Sequence, residues 1–351
     1  MSEIRLEKSE SPVPTYIIDS ILVNGEHAKG MFRVPLATVE DPVALAVNRG
    51  KKATNMAGGI EVKVLSNCMT RGIILETDSP FTADNVIKYI EQEGNGGLRQ
   101  AVESGTRYGR LLSIECQTMR DDIYLRLSMS CGDAAGHNMT TLAAVRLAEY
   151  ITSRFPGKVT LLSASSNTCS DKKPAAINVE KGRGKHVVAS ARIPADTVRK
   201  ILKVEPERLA RLNYKKNFVG SRLADALYGN NSNYANMLAA VYIATGQDAA
   251  NVVEGSMGTT TAKLMQDGSL EFMVDIPCVI VGTVGGGTSN PYAKRHLEMM
   301  QCYGGGDPLG SNGLKLAEII GATVLAGELN TLASLADGRK HAECHAKYER
   351  R

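Results

Sequence analysis

Ile123-Tyr124-Leu125-Arg126-Leu127-Ser128-Met129 is the stretch on which the fold turns. Apolar side chains at 123, 125, 127 and 129 alternate with Tyr124, Arg126 and Ser128, the period of two expected of a strand buried on one face. Working outward, Gly72–Glu76 and Leu111–Gln117 read as earlier strands and Lys158–Ser163 as a closing one. Thr82 is placed to cap a helix through Val86, Ile87 and Ile90, which the Gly94–Gly97 cluster ends; Leu142, Val145 and Leu147 to Ile151 suit a second helix. The order is βαββαβ, the ferredoxin-like arrangement.

The fold class is therefore α+β. A small ferredoxin-like domain at 72–163 is inserted into a discontinuous large domain, 1–71 and 164–351, which reads as mostly helical. Leu238–Ala244 is apolar nearly all round, as expected of a central buried helix, and Leu316, Ile319, Ile320, Thr323, Val324 and Gly327 follow helical spacing. Residues 1–30 show no clear element.

At 351 residues the chain is long enough for two or three cores. A net charge of +4 suits phosphate- or carboxylate-bearing ligands, or simply a solvated surface; it is far from the basic stripe of a DNA-binding domain. With no Trp and five Phe, a base-stacking platform is not expected, so nucleic acid is excluded as a partner. Seven scattered cysteines without a CxxC pair indicate neither a disulfide framework nor a zinc ribbon. Met1–Lys8 lacks the apolar core of a signal peptide, and no run of about eighteen apolar residues suggests a membrane span. A soluble, cytoplasmic protein is the expectation.

No GxGxxG follows a strand, and Gly182-Arg183-Gly184-Lys185 is too short for a P-loop. Two other glycine-bearing loops are either tight turns or backbone cradles for phosphate. One is Gly282-Thr283-Val284-Gly285-Gly286-Gly287-Thr288; the other, Gly132-Asp133-Ala134-Ala135-Gly136-His137-Asn138-Met139, precedes a helix. Asp171-Lys172-Lys173-Pro174 is either a solvated turn or a held loop whose lysine polarises a carbonyl. Asp248, at the edge of the apolar Leu238–Ala244 run, is a helix-end polar residue or the partner of a lysine. Glu40 is a helix-start acid or, if shielded, a proton donor. His341 and His345 have metal-compatible spacing but lack a third ligand, so no metal is expected and a single titrating imidazole is preferred.

Together these segments resemble the 3-hydroxy-3-methylglutaryl-coenzyme A reductase family, particularly its class I catalytic domain. The matching runs are Cys68–Gly72, Asp171–Asn178, Gly246–Ala250 and Gly282–Thr288, with Asp133–Met139 matching less closely, and the resemblance covers about residues 32–350. It implies reduction of an acyl-coenzyme A thioester to an alcohol with NADPH, NADH being possible. Lys172 would stabilise the oxyanion, Glu40 would protonate it, Asp248 would couple to both, and His345, favoured over His341, would protonate the coenzyme A thiolate. Arg71, Ser165, Asp171, Lys173, Lys216 and Asn236 would hold the acyl group. Asp133, Asn138, Gly285, Gly286 and Gly287 would contact the dinucleotide, and Thr106-Arg107 its 2′-phosphate. A homodimer or higher oligomer with the site between subunits is also implied. The chain departs from the family pattern in residues 1–31, at Asp41 where glycine is usual and at Asn233 where histidine is usual. These departures leave open a different acyl-coenzyme A or aldehyde substrate, or a non-catalytic nucleotide-binding paralogue.

Overall fold

A computed structural model describes residues 9, 11–92, 96–226, 228–338, 342–343 and 346–347. Among the described residues ten strands form two sheets joined by one of them: β1 (Thr15–Asn24), β2 (Lys29–Ala37), β3 (Ile60–Thr77), β4 (Arg110–Met119), β5 (Asp122–Ser130), β6 (Val159–Ser163), β7 (Gly184–Ile193), β8 (Gly229–Asn230), β9 (Gly258–Leu264) and β10 (Leu270–Val279). The larger sheet runs β2-β1-β3-β7-β10-β9-β8 and is mixed, with β1–β3 and β8–β9 parallel. The smaller runs β6-β3-β5-β4 and is antiparallel throughout.

The joining strand is β3. At 18 residues it is about 60 Å long at the usual rise per residue. Its first half pairs with β7 as far as Cys68, opposite Gly184, and its second half pairs with β5 from Met69, opposite Met129. The expected short strand Gly72–Glu76 is thus only the far end of a strand that begins twelve residues earlier. The expected mostly helical large domain is also corrected, because its core is a mixed sheet covered by helices. β7 and β10 do alternate, with Val187, Ala189, Ala191 and Ile193 buried in the first and Leu270, Phe272, Val274 and Ile276 in the second, so a period of two was present in the sequence and was passed over. The opening residues, unreadable in sequence, supply the β1–β2 hairpin.

Four helices fix the positions that matter below: α1 (Asp41–Met56), α2 (Pro80–Gln92), α3 (Gly96–Glu103) and α4 (His137–Arg154). α2 starts at Pro80, and Ser79 Oγ accepts the Thr82 N–H at 3.2 Å, so Ser79 rather than Thr82 satisfies the first turn. α3 begins at Gly96, within the cluster expected to be a break; residues 93–95 lie outside the described residues. Leu98 and Val102 of α3 join Val86, Ile90, Leu125, Leu147 and Ile151 in the small layer's core.

Two helices are buried in the large layer. The connecting helix, Tyr234–Ala244, matches the expected Leu238–Ala244 segment, extended by a turn. The core helix, Ser311–Ala336, is the longest, and it packs on α1, β3, β7 and β10. It is long and apolar enough to cross a bilayer, with a mean hydropathy of 1.4, contrary to the expectation of no such run. Of its most apolar 18-residue window 89% is buried within the fold, as in a core helix. At its crossing with α1 a Cβ on Gly50 would lie 1.8 Å from the Ala326 carbonyl oxygen, so only glycine permits this backbone contact.

Two carboxylates are buried on the core helix, and each is used. Glu328 Oε1 accepts the Ser232 N–H (2.7 Å) and the Thr260 hydroxyl (2.9 Å). Glu318 accepts the N–H groups of Glu26 (3.2 Å), His27 (2.9 Å) and Ala28 (2.6 Å), which tie the β1–β2 turn to the core. Burial pushes the titration of both acids upward against these bonds. Glu318→Ala should cost about 2–3 kcal/mol by stranding those donors, and Glu318→Gln less. Urea midpoints of the two variants check this ordering.

Candidate active site

The 164–175 loop lies where β3 leaves the larger sheet for the smaller. Three of its non-glycine residues have positive φ: Asn167 (62°), Ser170 (45°) and Lys172 (56°). Each costs about 1 kcal/mol or more, so the surroundings must hold the loop. Arg183 holds one side of it. Its guanidinium is 1% exposed and donates to Thr70 O (2.9 Å), Thr70 Oγ1 (3.0 Å), Glu254 Oε1 (3.3 Å) and Asp171 Oδ1. Asn178 Nδ2 donates to Ser170 O at 3.0 Å and pins the other side.

On this base Lys172 Nζ stands 2.7 Å from Asp248 Oδ2. The bond to Asp248 is the largest cause of the lysine's upward pKa shift. Burial pushes the Asp248 carboxyl up, but the Lys172 bond, the Ala250 N–H and the charge of Lys172 outweigh it, and it titrates below its ordinary value. Lys172 is a fixed cation at neutral pH.

Asp248 lines a cavity of about 740 Å³. Its walls are residues 134–139 at the start of α4, Gly246–Asp248, and the turn from Val284 to Thr288. The backbones touch: a Cβ on Gly246 would meet Gly287 O at 2.3 Å, and Gln247 hydrogen-bonds both N–H and C=O of Gly282 at 2.9 Å. α4 opens on Gly136 in the left-handed region with no side-chain cap, leaving its first N–H groups for an anion. Three glycines, uncapped amides and this volume fit the pyrophosphate of a dinucleotide.

A second cavity, about 530 Å³, holds Glu40, Lys216, Asn233 and Asn236. Asn236 Nδ2 donates to Glu40 Oε2 at 3.4 Å, and Asn233 Nδ2 donates to Thr331 Oγ1 at 3.0 Å. Burial lowers the Lys216 pKa, opposed by the charge of Glu328 behind it. Asp41 is turned to the Tyr16 hydroxyl and does not line this cavity. The two cavities lie at opposite ends of the connecting helix, whose 11 residues span about 16 Å. Among the described residues of one chain, Glu40 therefore lies apart from Lys172 and Asp248.

The remaining expected residues fall as follows. Arg71 Nε donates to Ala164 O (2.8 Å), and Ser165 is exposed beside it. Lys173 Nζ is exposed and reaches Asp171 O (3.1 Å). Asn138 and Gly285–Gly287 line the larger cavity. Thr106 Oγ1 accepts the N–H groups of Tyr108 (3.2 Å) and Gly109 (2.9 Å), and Arg107 stacks over the Tyr108 ring at 5.6 Å. Asp133 needs correction as a cofactor contact. It is 2% exposed, and its oxygens accept the N–H groups of Gly306 (2.9 Å), Gly310 (2.8 Å) and Gly313 (2.8 Å), anchoring the start of the core helix. His341 and His345 lie outside the described residues.

Sequence reasoning passed over Arg183, Glu254 and His137. Arg183 stood inside a run weighed only as a P-loop, although an arginine between two glycines of positive φ (Gly182 85°, Gly184 80°) is a signal of close packing. His137 Nε2 is 4.0 Å from Asp171 Oδ1; burial and the Arg183 charge lower its pKa, so the imidazole is neutral at pH 7. Among the described residues no cluster of three His, Cys, Asp or Glu side chains could hold a metal.

This two-layer fold, with a fixed cation beside a glycine-walled cavity, marks a nicotinamide-dependent oxidoreductase that does without a Rossmann domain. The family model for hydroxymethylglutaryl-coenzyme A reductase matches residues 9–350, and the chain belongs to that family. It is 43% identical over 327 residues to the 3-hydroxy-3-methylglutaryl-coenzyme A reductase of Aeropyrum pernix, covering 93% of this chain and 77% of the relative. The Pyrococcus horikoshii reductase is 41% identical (92% and 78% covered) and that of Methanocaldococcus jannaschii 40% (93% and 80%). Among solved structures, the class II reductase of Streptococcus pneumoniae bound to NADPH superposes with a TM-score of 0.71 at 20% identity, covering 95% of this chain and 78% of that one. That likeness is one of fold.

Lys172 and Asp248 are each 40% exposed, so their pair contributes about 1 kcal/mol or less to folding. Arg183 is buried with four partners, and its loss strands Glu254. Lys172→Ala should leave the urea midpoint almost unchanged, while Arg183→Ala should cost about 3–5 kcal/mol. Equal costs would contradict this division between a chemical and a structural cation.

Proposed function

We propose that this chain catalyses the four-electron reduction of (S)-3-hydroxy-3-methylglutaryl-coenzyme A to mevalonate and coenzyme A, using two NADPH. The observation that carries the reading is the Lys172–Asp248 pair at 2.7 Å on the rim of the glycine-walled cavity. Bound there, the nicotinamide supplies hydride. The pyrophosphate would rest on the first amides of α4 and on Gly285–Gly287, with Asn138 beside them and Thr106-Arg107 toward the 2′-phosphate.

The chain's own residues handle charge and protons. Lys172 lies where an oxyanion forms at the thioester carbonyl and stabilises it without reorganising. Asp248 keeps that lysine protonated and aimed. Glu40 supplies the proton to the oxygen, giving a hemithioacetal. When that collapses, the C–S bond breaks, the oxygen gives up its proton, and His345 protonates the departing thiolate. Glu343 and Lys347, either side of His345 in sequence, line the Glu40 cavity, which supports that assignment. The aldehyde is reduced in the same way by the second hydride, so the whole reaction consumes two protons. Arg71, Ser165, Asp171 and Lys173 by the loop, and Lys216 and Asn236 by Glu40, would hold the acyl group.

A single chain separates Glu40 from Lys172 by the length of the connecting helix, so we assign the complete site to a homodimer in which each copy supplies one half. The small layer, residues 72–163, is read as an inserted ferredoxin-like cofactor domain; its strand order β6-β3-β5-β4 supports this, with α3 an addition to the basic pattern. We place the enzyme in the cytoplasm.

NADPH oxidation followed with a panel of acyl-coenzyme A thioesters and aldehydes, with NADH alongside, tests the reading. The hydroxymethylglutaryl thioester should be turned over at least tenfold better than the others, and NADPH preferred. Turnover of a different thioester alone would favour the altered-substrate reading suggested by Asn233, which lines the Glu40 cavity. Lys172→Ala should lower kcat by about 100- to 1,000-fold. Mixing Glu40→Gln with Lys172→Ala protomers under exchange should restore about a quarter of wild-type activity, since half of randomly formed dimers are mixed and one of their two sites is intact. No recovery in demonstrably mixed dimers would place both residues in one chain's site.

A further inference from the structure

Six residues apart, Asp248 and Glu254 hold the two ends of one lysine. Asp248 Oδ2 takes the ammonium of Lys172 at 2.7 Å, and Glu254 Oε1 takes its backbone N–H at 3.0 Å. The segment 248–254 is therefore a clamp, with the lysine side chain stretched between a carboxylate at its root and another at its tip.

Glu254 is an unusual group to find there. It is fully buried, and Oε1 alone collects three donors: Lys172 N (3.0 Å), Asn251 Nδ2 (3.1 Å) and Arg183 Nε (3.3 Å). Oε2 has no hydrogen-bond partner among the described residues. A purely structural role explains this poorly. Arg183 makes its other three bonds to Asp171 and Thr70, so Glu254 serves only its Nε–H, at 3.3 Å the longest of the four. Burying a carboxylate with one bare oxygen is unfavourable. What the arrangement gains is a fixed Lys172: its φ of 56° is a conformation an L-residue rarely adopts, and the Glu254 bond holds it there.

We propose that Glu254 is a positioning residue for Lys172, anchoring the lysine's backbone and placing a buried carboxylate behind the ammonium. This deepens the functional reading above and rests on Lys172 being the oxyanion cation. The titratable groups facing Glu254 and Lys172 come from each packed element: Asp171 on the same loop, Arg183 ahead of β7, Asp248 in the clamp, and the neutral His137 at the start of α4. Of these, Glu254 and the two aspartates favour the ammonium, so removing the Glu254 charge makes Lys172 easier to deprotonate.

Two variants separate anchor from charge. Glu254→Gln keeps an acceptor for the Lys172 N–H and loses the charge; the alkaline limb of kcat should move to lower pH, with KM for NADPH within twofold of wild type. Glu254→Asp keeps the charge, and with it a partner for Arg183, but falls short of the N–H; kcat should drop at least tenfold while the alkaline limb stays in place. Acetic anhydride labelling of Lys172, read by mass spectrometry across pH, checks the same point without turnover: reactivity near pH 9 should rise more than threefold in Glu254→Gln. If Glu254→Gln does not fold, the Glu254→Asp result decides. Wild-type kcat in Glu254→Asp, or an unmoved limb and unmoved labelling in folded Glu254→Gln, overturns the proposal. Failure of the wild-type protein to reduce any acyl-coenzyme A would instead overturn the functional reading, and the labelling would still report on the clamp.

Discussion

A guanidinium taken out of water must be surrounded by acceptors, and Arg183 meets that demand at the one place where the two sheets, the 164–175 loop and the segment after the connecting helix converge. Its partners come from three separate parts of the chain: Thr70 on β3, Asp171 on the loop, and Glu254 after the connecting helix. Satisfying it brings those parts together, and the geometry around Lys172 follows. The half-exposed cation of Lys172 sits on the buried one of Arg183. The lysine itself is half in water and contributes little to folding, so it is free to serve catalysis.

Much of this was legible in the sequence, and the reasons are physical. The small layer announced itself because β5 turns Ile123, Leu125, Leu127 and Met129 to the core while its other face carries Tyr124, Arg126 and Ser128, the last two also buried. The Asp171–Asn178 and Gly282–Thr288 runs were legible because close backbone approaches restrict residue choice, as Gly246 against Gly287 illustrates. The large sheet left a period of two in β7 and β10, but its strands pair across long stretches of chain, so the alternation alone did not show that they form one sheet. Arg183 and Glu254 escaped for another reason. A single charged residue has no periodicity, and its burial depends on contacts more than seventy positions away. Asp133 was misplaced because a carboxylate beside a glycine loop looks like a ligand contact, whereas here it is used within the fold.

The core helix carries the same lesson in reverse. By composition it passes for a membrane span, yet Glu318 and Glu328 within it each accept hydrogen bonds from the larger sheet or the turns beside it. Charges that would be prohibitive in lipid are here the points at which a greasy helix is given one orientation. The two cavities at the ends of the connecting helix inherit that orientation, because Lys216 faces Glu328 and Asp133 anchors the core helix's first turn.

The long strand β3 has a consequence for how the chain acquires its shape. Its two halves pair with strands centred near residues 126, 161 and 188, so the smaller sheet is complete only once Ser163 has arrived and the larger only once Val279 has. Folding is therefore dominated by distant pairings, which are slow to form. The small layer also has no strand of its own at the place where it joins the rest, so a cut on either side of Met69 removes a central strand from one sheet or the other. During synthesis the first half of β3 must wait, unpaired on the β7 side, while the whole small layer is made. For that interval an apolar edge is open to other chains, and the temporary exposure of Val62 and Val64 is the hazard that comes with building two layers on one strand.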